Sequence, residues 1–228
     1  MNYSGFMGGL FALTEWFMRF SVINILWIIT NLPVLLIVIL MVLSQTTSSM
    51  IMLAIPLAVL LPLLFFPSTT SVFANARDWI LNKEQPSLLK SFWLYLKENY
   101  RKSFSFGLIL TIAWIVWLID YYYFGHLSNI LIVVMFLIGL ALFVYTINVI
   151  NLNVHYVMSI KALFKNAFFL TIGKPLLFIF ILTSNLFLLY ISLTKVWFLI
   201  PFFAISISGF LSFFAFYWTT LRVQKKSN

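Results

Sequence analysis

The chain has 228 residues, of which 63% are apolar and only 8% charged. Ordinary soluble domains carry about 25% charged residues, so a solvated surface cannot be built from this composition, and the absence of cysteine removes disulfides, thiolate metal sites and cysteine nucleophiles. The net charge of +9 does not point to nucleic acid, because no basic domain exists to carry it; basic residues holding loops on the cytoplasmic side account for it.

These limits predict an all-α, polytopic helical membrane protein. It forms a single membrane domain over residues 1–228, with about six transmembrane helices in the lipid bilayer and amphipathic cytoplasmic connecting helices. Residues 1–19 read as an interfacial helix rather than a signal peptide, since the only basic residue is Arg19 and no small-residue cleavage pattern follows. Phe6, Leu10, Phe11, Thr14, Phe17 and Met18 recur at helical spacing, and Glu15 and Arg19 sit four apart in the favourable order.

The first span is expected at 20–43, a stretch of 24 uncharged residues. About 20 apolar residues cross a hydrocarbon core of roughly 30 Å. A polar loop, Ser44 to Ser49, leads to a span at 50–66, which holds Pro56 and Pro62 and is followed by Pro67. Residues 67–103 are the longest polar stretch. Ser68 to Leu81 reads as a helix ending at Asn82, and Pro86 suits the first turn of a second one. On that second helix Leu89, Phe92, Trp93, Leu96 and Tyr100 form an apolar stripe, with Lys90, Lys97, Glu98, Arg101 and Lys102 on or beside the other face. This is the pattern of a helix lying in the membrane interface. Phe92, Trp93, Leu96, Lys97, Tyr100 and Arg101 are the candidate cytoplasmic docking surface.

Further spans are expected at 104–124, 128–150, 175–194 and 197–221, with a second basic connection at 151–174 and a tight turn at Thr194-Lys195. With both termini cytoplasmic, thirteen of the fourteen basic residues fall inside and only Lys195 outside. The positive-inside rule selects that orientation.

Ionisable residues at membrane depth normally mark function, and this chain has almost none. Asp120 closes the third span beside three tyrosines, where headgroups are the simplest environment. Glu15, Asp78, Glu84 and Glu98 belong to charged stretches where solvated pairing is expected. His126 and His155 fall on opposite sides and cannot share a metal. No HExxH, GxSxG or Gly-rich phosphate loop occurs. The expectation is no catalysis, no cofactor and no metal. The uncharged polar residues Asn24 and Asn31 in the first span, and Thr183, Ser184 and Asn185 in the fifth, are the candidates for interhelical hydrogen bonding or for lining a solute path.

Several short motifs carry a resemblance. Asn24-x-x-Trp27, then Leu32-Pro33, then Pro67-Ser68-Thr69-Thr70 leading to Arg77-Asp78-Trp79, resembles the YesL-like family of bacterial membrane proteins. Ser91-Phe92-Trp93 to Glu98-Asn99-Tyr100 and Lys165-Asn166-Ala167 extend it to about residue 180. Where the family pattern has a Thr and a Gly-Pro after the first Leu-Pro, this chain has plain aliphatic Val34 to Leu40. The resemblance implies a bacterial cytoplasmic-membrane protein with an accessory role in glycan uptake or sensing, beside an ABC permease or a histidine kinase. It implies no catalytic residues. The competing reading is a stand-alone transporter or channel for a small neutral solute. A permease proper is disfavoured, because neither basic connection has the Glu-Ala-Ala loop that docks an ATPase.

Overall fold

The computed structural model describes residues 6–83 and 87–227, with side chains at 9–11, 13–83 and 87–220. Every regular element described is a helix. In chain order these are α1 (Phe6–Thr30), α2 (Leu32–Leu43), α3 (Thr47–Leu60), a π-helical segment (Leu61–Phe65) and α4 (Phe66–Ile80). There follow α5 (Leu88–Gly125), α6 (Asn129–His155), α7 (Ile160–Gly173), α8 (Pro175–Thr194), α9 (Leu199–Phe202) and α10 (Ala204–Ser227). Five of the helical stretches are long and apolar enough to cross a membrane, and residues 204–220 add a shorter apolar helix. The all-α polytopic membrane fold read from composition is what the structure shows.

Helix boundaries differ from the sequence reading in an instructive way. The expected interfacial helix joins the first half of the expected span as one rod, α1, and the break falls at Asn31 instead. Pro33 has no N–H to offer the carbonyl of Ile29, so the ladder opens there. Asn31 leaves helical geometry at φ −98°, ψ 12°, and α2 restarts with Pro33 in its first turn. The stretch Thr47–Ile80 is likewise a single 34-residue rod. Pro62 and Pro67 are accommodated by the π-helical turn instead of a break. Ser68 Oγ donates to the Leu64 carbonyl at 2.6 Å, next to the disturbed ladder.

Residues 87–103 do not form a separate helix lying in the interface. They are the first turns of α5, a 38-residue helix that at 1.5 Å per residue runs roughly 57 Å. Ser87 caps it, accepting from the Lys90 N–H at 3.2 Å. Pro86 and Glu84, to which the sequence reading gave roles, lie outside the described residues. At the other side of the chain the expected tight hairpin at Lys195 is replaced by a turn, the single-turn helix α9, and a second break at Phe203 before α10.

Alternating chain direction brings the α2–α3, α5–α6 and α8–α9 turns to one end of the bundle, the hairpin end. Arg77, Lys83 and the start of α5 lie at the other, basic end. Three helix pairs are each stitched by an N–H to a hydroxyl. Trp27 Nε1 reaches Thr69 Oγ1 at 2.9 Å, Trp114 Nε1 reaches Thr146 Oγ1 at 3.1 Å, and Asn185 Nδ2 reaches Ser212 Oγ at 3.0 Å.

Helix α4 sits at the centre, packed against α1, α5, α6 and α10. All of Phe66 to Ala76 is buried. Its run of small residues, Ser68-Thr69-Thr70-Ser71 and then Ala74 and Ala76, lets neighbouring helices approach closely, which is how helices associate where the hydrophobic effect is absent. Gly107 of α5 shows how close: a Cβ there would stand 2.8 Å from Phe66 Cβ. The helix expected over 68–81, at the start of the longest polar stretch, is therefore the core of the bundle.

Candidate functional site

Three sets of buried polar groups each have a visible structural task. The first is centred on Asn24, which is fully buried. Pro201 interrupts the chain before α10, and Phe203, the residue preceding that helix, has no side-chain acceptor for the exposed amides. Asn24 supplies it from another helix. Its Nδ2 donates to the carbonyls of Ile200 and Pro201 at 3.1 and 2.8 Å, and its Oδ1 accepts from the Ile205 and Ser206 amides at 3.0 and 3.2 Å. Both donors and both acceptor sites of one carboxamide are used, so the broken helix meets the requirement that backbone groups away from water be paired.

The second set joins α8, α10 and α6. Asn185 Nδ2 donates to Ser212 Oγ and to the Ile181 carbonyl, and its Oδ1 accepts from Ser208 Oγ. Asn151 of α6 reaches the Ser212 carbonyl at 3.4 Å, and Asn148 reaches Thr171 of α7 at 3.0 Å.

The third set lies at the basic end. Asp78 is only 1% exposed, so the solvated pairing expected for it is not what occurs. Arg77 binds Asp78 Oδ1 through Nε and Nη2, each at 2.8 Å, and Nη1 donates to the Val154 carbonyl of α6. The Arg77 guanidinium lies 5.4 Å over the Tyr95 ring, whose hydroxyl donates to Asp78 Oδ2. Above this, Ser71 Oγ donates to the Phe92 carbonyl at 2.6 Å and Ser91 Oγ to Asn75 Oδ1 at 2.6 Å. These contacts fasten the central α4 to α5 and α6 and close the basic end of the bundle.

The candidate residues read from sequence are placed as follows. Asn24 and Asn31 are buried. Asn31 donates to Ser68 Oγ at 2.7 Å and to the Trp27 carbonyl at 2.8 Å. Asn185 is buried between α8 and α10, whereas Thr183 is exposed and bonds the Ile179 carbonyl, and half-buried Ser184 bonds the Ile181 carbonyl. The expected docking stripe is divided. Phe92 is fully buried and Leu96 packs beside it against the α1–α4 core, while Trp93 is 49% exposed and Lys97 and Arg101 are exposed. Tyr100 is half-buried. Among the described residues, no three His, Asp or Glu side chains converge to hold a metal ion.

Between α1, α2, α5, α6, α8, α9 and α10 lies a half-open cavity of about 720 Å³, within the range of roughly 300–1,000 Å³ typical of small-molecule sites. Trp27, Trp114, Trp117, Phe143 and Ile205 form much of its wall, and its lining carries no charged residue. A smaller cavity of about 300 Å³ shares Trp114, Phe143, Ile205 and Ser208 with it and continues toward Thr69, Phe73 and Thr111. Trp117 owes its position to Gly139: a Cβ at 139 would stand 2.3 Å from the indole Cζ2. Sequence reasoning missed this cavity, together with Trp114, Trp117 and the asparagines of α6. The one available signal was the Asn148, Asn151, Asn153 spacing at the end of an apolar span.

Residues 20–121 match the family described as "Protein of unknown function, DUF624". The chain is also similar to "Uncharacterized protein YteU" of Bacillus subtilis (strain 168), with 25% identity over 230 residues covering 99% of this chain and 91% of that protein. No solved structure matches. Both likenesses bear out the YesL-like resemblance. The matched region runs from the second half of α1 to the last turns of α5. It therefore contains Asn24, Trp27, the Asn31–Ser68 contact, all of α4 and the Arg77–Asp78–Tyr95 cluster.

Proposed function

We propose that this protein is a non-catalytic integral membrane accessory protein. It partners a carbohydrate ABC importer or its sensor kinase in glycan uptake or sensing, in the cytoplasmic membrane of a bacterium and with both termini inside. The observation that favours a structural partner over a stand-alone channel is the use made of the polar side chains. Asn24 serves the α9–α10 break, Asn185 joins two helices, and α4 with its Arg77–Asp78–Tyr95 cluster plugs the bundle beneath the cavity. A path for a neutral solute needs polar groups free to replace water along its length. Here the Asn24 and Asn185 carboxamides beside the cavity are spent on a helix break and a helix pair, and the cavity lining is apolar apart from Asn185, Ser192 and Ser208. The glycan connection and the choice of partner rest on the YesL-like resemblance.

In this reading the exposed side chains at the start of α5, Trp93, Lys97 and Arg101, remain available to a partner at the basic end, while Phe92 and Leu96 fix the helix to α4 and α1. The test is substitution of all three, Trp93→Ala, Lys97→Ala and Arg101→Ala, followed by mild-detergent co-purification. Loss of an ABC permease or histidine kinase from the purified complex, with the melting temperature unchanged, supports the assignment. A complex that survives the triple substitution contradicts it.

A further inference from the structure

We propose that the central cavity is a hydrocarbon site that takes one acyl chain of a membrane phospholipid. The chemistry of the wall selects the occupant. Every indole and amide N–H on the wall of the larger cavity is already given away. Trp27 donates to Thr69, Trp114 to Thr146, Trp117 to the Met135 carbonyl at 2.8 Å, and Asn185 to Ser212. The hydroxyls are committed too, Ser192 to the Leu188 carbonyl and Ser208 to Asn185. Even the wall carbonyls of Ile200 and Pro201 are held by Asn24. A sugar or another polar solute would surrender its hydrogen bonds to water and find none in return, and water itself needs two to four polar partners to stay.

The rim shows how the occupant arrives. Ile39 of α2, Phe136 of α6 and Leu189 of α8 line the cavity and are each 53% exposed. They belong to three different parts of the bundle and are all apolar, so the cavity is continuous with the face the helices turn toward lipid. A chain end enters without crossing a polar belt. The depth also fits. From Phe136 at the rim to Ile150 on the smaller cavity, α6 advances about 21 Å at 1.5 Å per residue. An acyl chain reaches through one leaflet, about half of a roughly 30 Å core. The two cavities, which share Trp114, Phe143, Ile205 and Ser208 in their walls, together span the length of such a chain. Empty, their walls would forfeit dispersion contacts on one side. This inference does not depend on which protein partner the chain has.

The test uses the intact protein in vesicles containing phosphatidylglycerol that carries a photoactivatable diazirine at the end of one acyl chain. Cross-linked residues are mapped by mass spectrometry. The expected result is adducts on Phe73, Thr111 or Ile147, which line the smaller cavity. Phe73 and Thr111 are 2% and 4% exposed, out of reach of a lipid lying on the outer surface. Adducts confined to outer residues such as Ile130, Leu176 and Phe187 overturn the proposal. Leu140→Trp, which fills the larger cavity, should lower interior adducts at least fivefold relative to those on Leu176 and Phe187 in the same sample. An unchanged ratio also overturns it. Should that variant not fold, the mapping on the unaltered protein decides alone.

Discussion

Asn24 donates to the carbonyl of Pro201, 177 residues further along the chain, at 2.8 Å. This bond and its three companions make a residue of α1 the cap of α10. An N-cap is ordinarily the residue just before its helix, but Phe203 cannot serve. Asn24→Leu should therefore lower the melting temperature in detergent, with a stability loss on the order of 2–3 kcal/mol if each of the four bonds is worth roughly 0.6 kcal/mol. Asn24→Asp keeps the acceptors for the α10 amides but sets a second oxygen against the Ile200 and Pro201 carbonyls, and should also lower the melting temperature. An unchanged melting temperature for Asn24→Leu would show that the α9–α10 break is not held this way.

Asn31 gives a smaller expected effect for a stated reason. Its Nδ2 is bonded to Ser68 Oγ and the Trp27 carbonyl, but its buried Oδ1 has no partner. Asn31→Leu removes two bonds and also one unsatisfied acceptor, whose desolvation opposes folding. A loss of about 0.5–2 kcal/mol is expected, with the proposed role in glycan uptake retained. In a double-mutant cycle with Ser68→Ala, the combined loss should be less than the sum of the single losses. A full melting temperature together with abolished uptake would place Asn31 on a solute path instead.

The contrast between Asn31 and α4 shows what was legible in the sequence. Asn31 with Pro33 two residues later is a local signal: an amide that needs a partner and a proline that breaks a ladder. Both consequences can be written down before any packing is known, whereas the partner, Ser68, lies just beyond the span expected at 50–66. Helix α4 carries no such signal. Ser68-Thr69-Thr70-Ser71 followed by Arg77-Asp78 looks solvated when read along the chain, because polarity is normally a reason to face water. In the bundle the same small side chains permit close approach, and the charged pair is closed off by Tyr95 and the Val154 carbonyl. Those partners lie 17 and 77 residues away and come from topology. The central cavity was invisible for the same reason, since an apolar wall facing inward and an apolar face toward lipid have the same composition.

The Arg77–Asp78 pair should behave as a buried one. The Asp78 side chain is 2% exposed and that of Arg77 20%. Asp78→Ala leaves the guanidinium and the Tyr95 hydroxyl without their acceptor, and a loss of roughly 3 kcal/mol is expected. Tyr95→Phe removes a single bond and should lose about 1 kcal/mol. Equal and negligible losses in thermal unfolding would show that the cluster is solvated after all.

Orientation is checked by reporter fusions. Fusions at Gln45, His126 and Lys195, near the hairpin end, are expected to read outside. Fusions at Lys83, Lys161 and the C-terminus are expected to read inside. A stable reversal at Lys83 would overturn the topology, since the stretch around it carries six of the basic residues.

The most direct measurement for an accessory role is the composition of the particle purified in mild detergent from the native membrane. Mass spectrometry of that particle should find a stoichiometric ABC permease or histidine kinase with this chain. Recovery of this chain alone, as a monomer or a self-assembled oligomer that passes a neutral solute in vesicles, would contradict it.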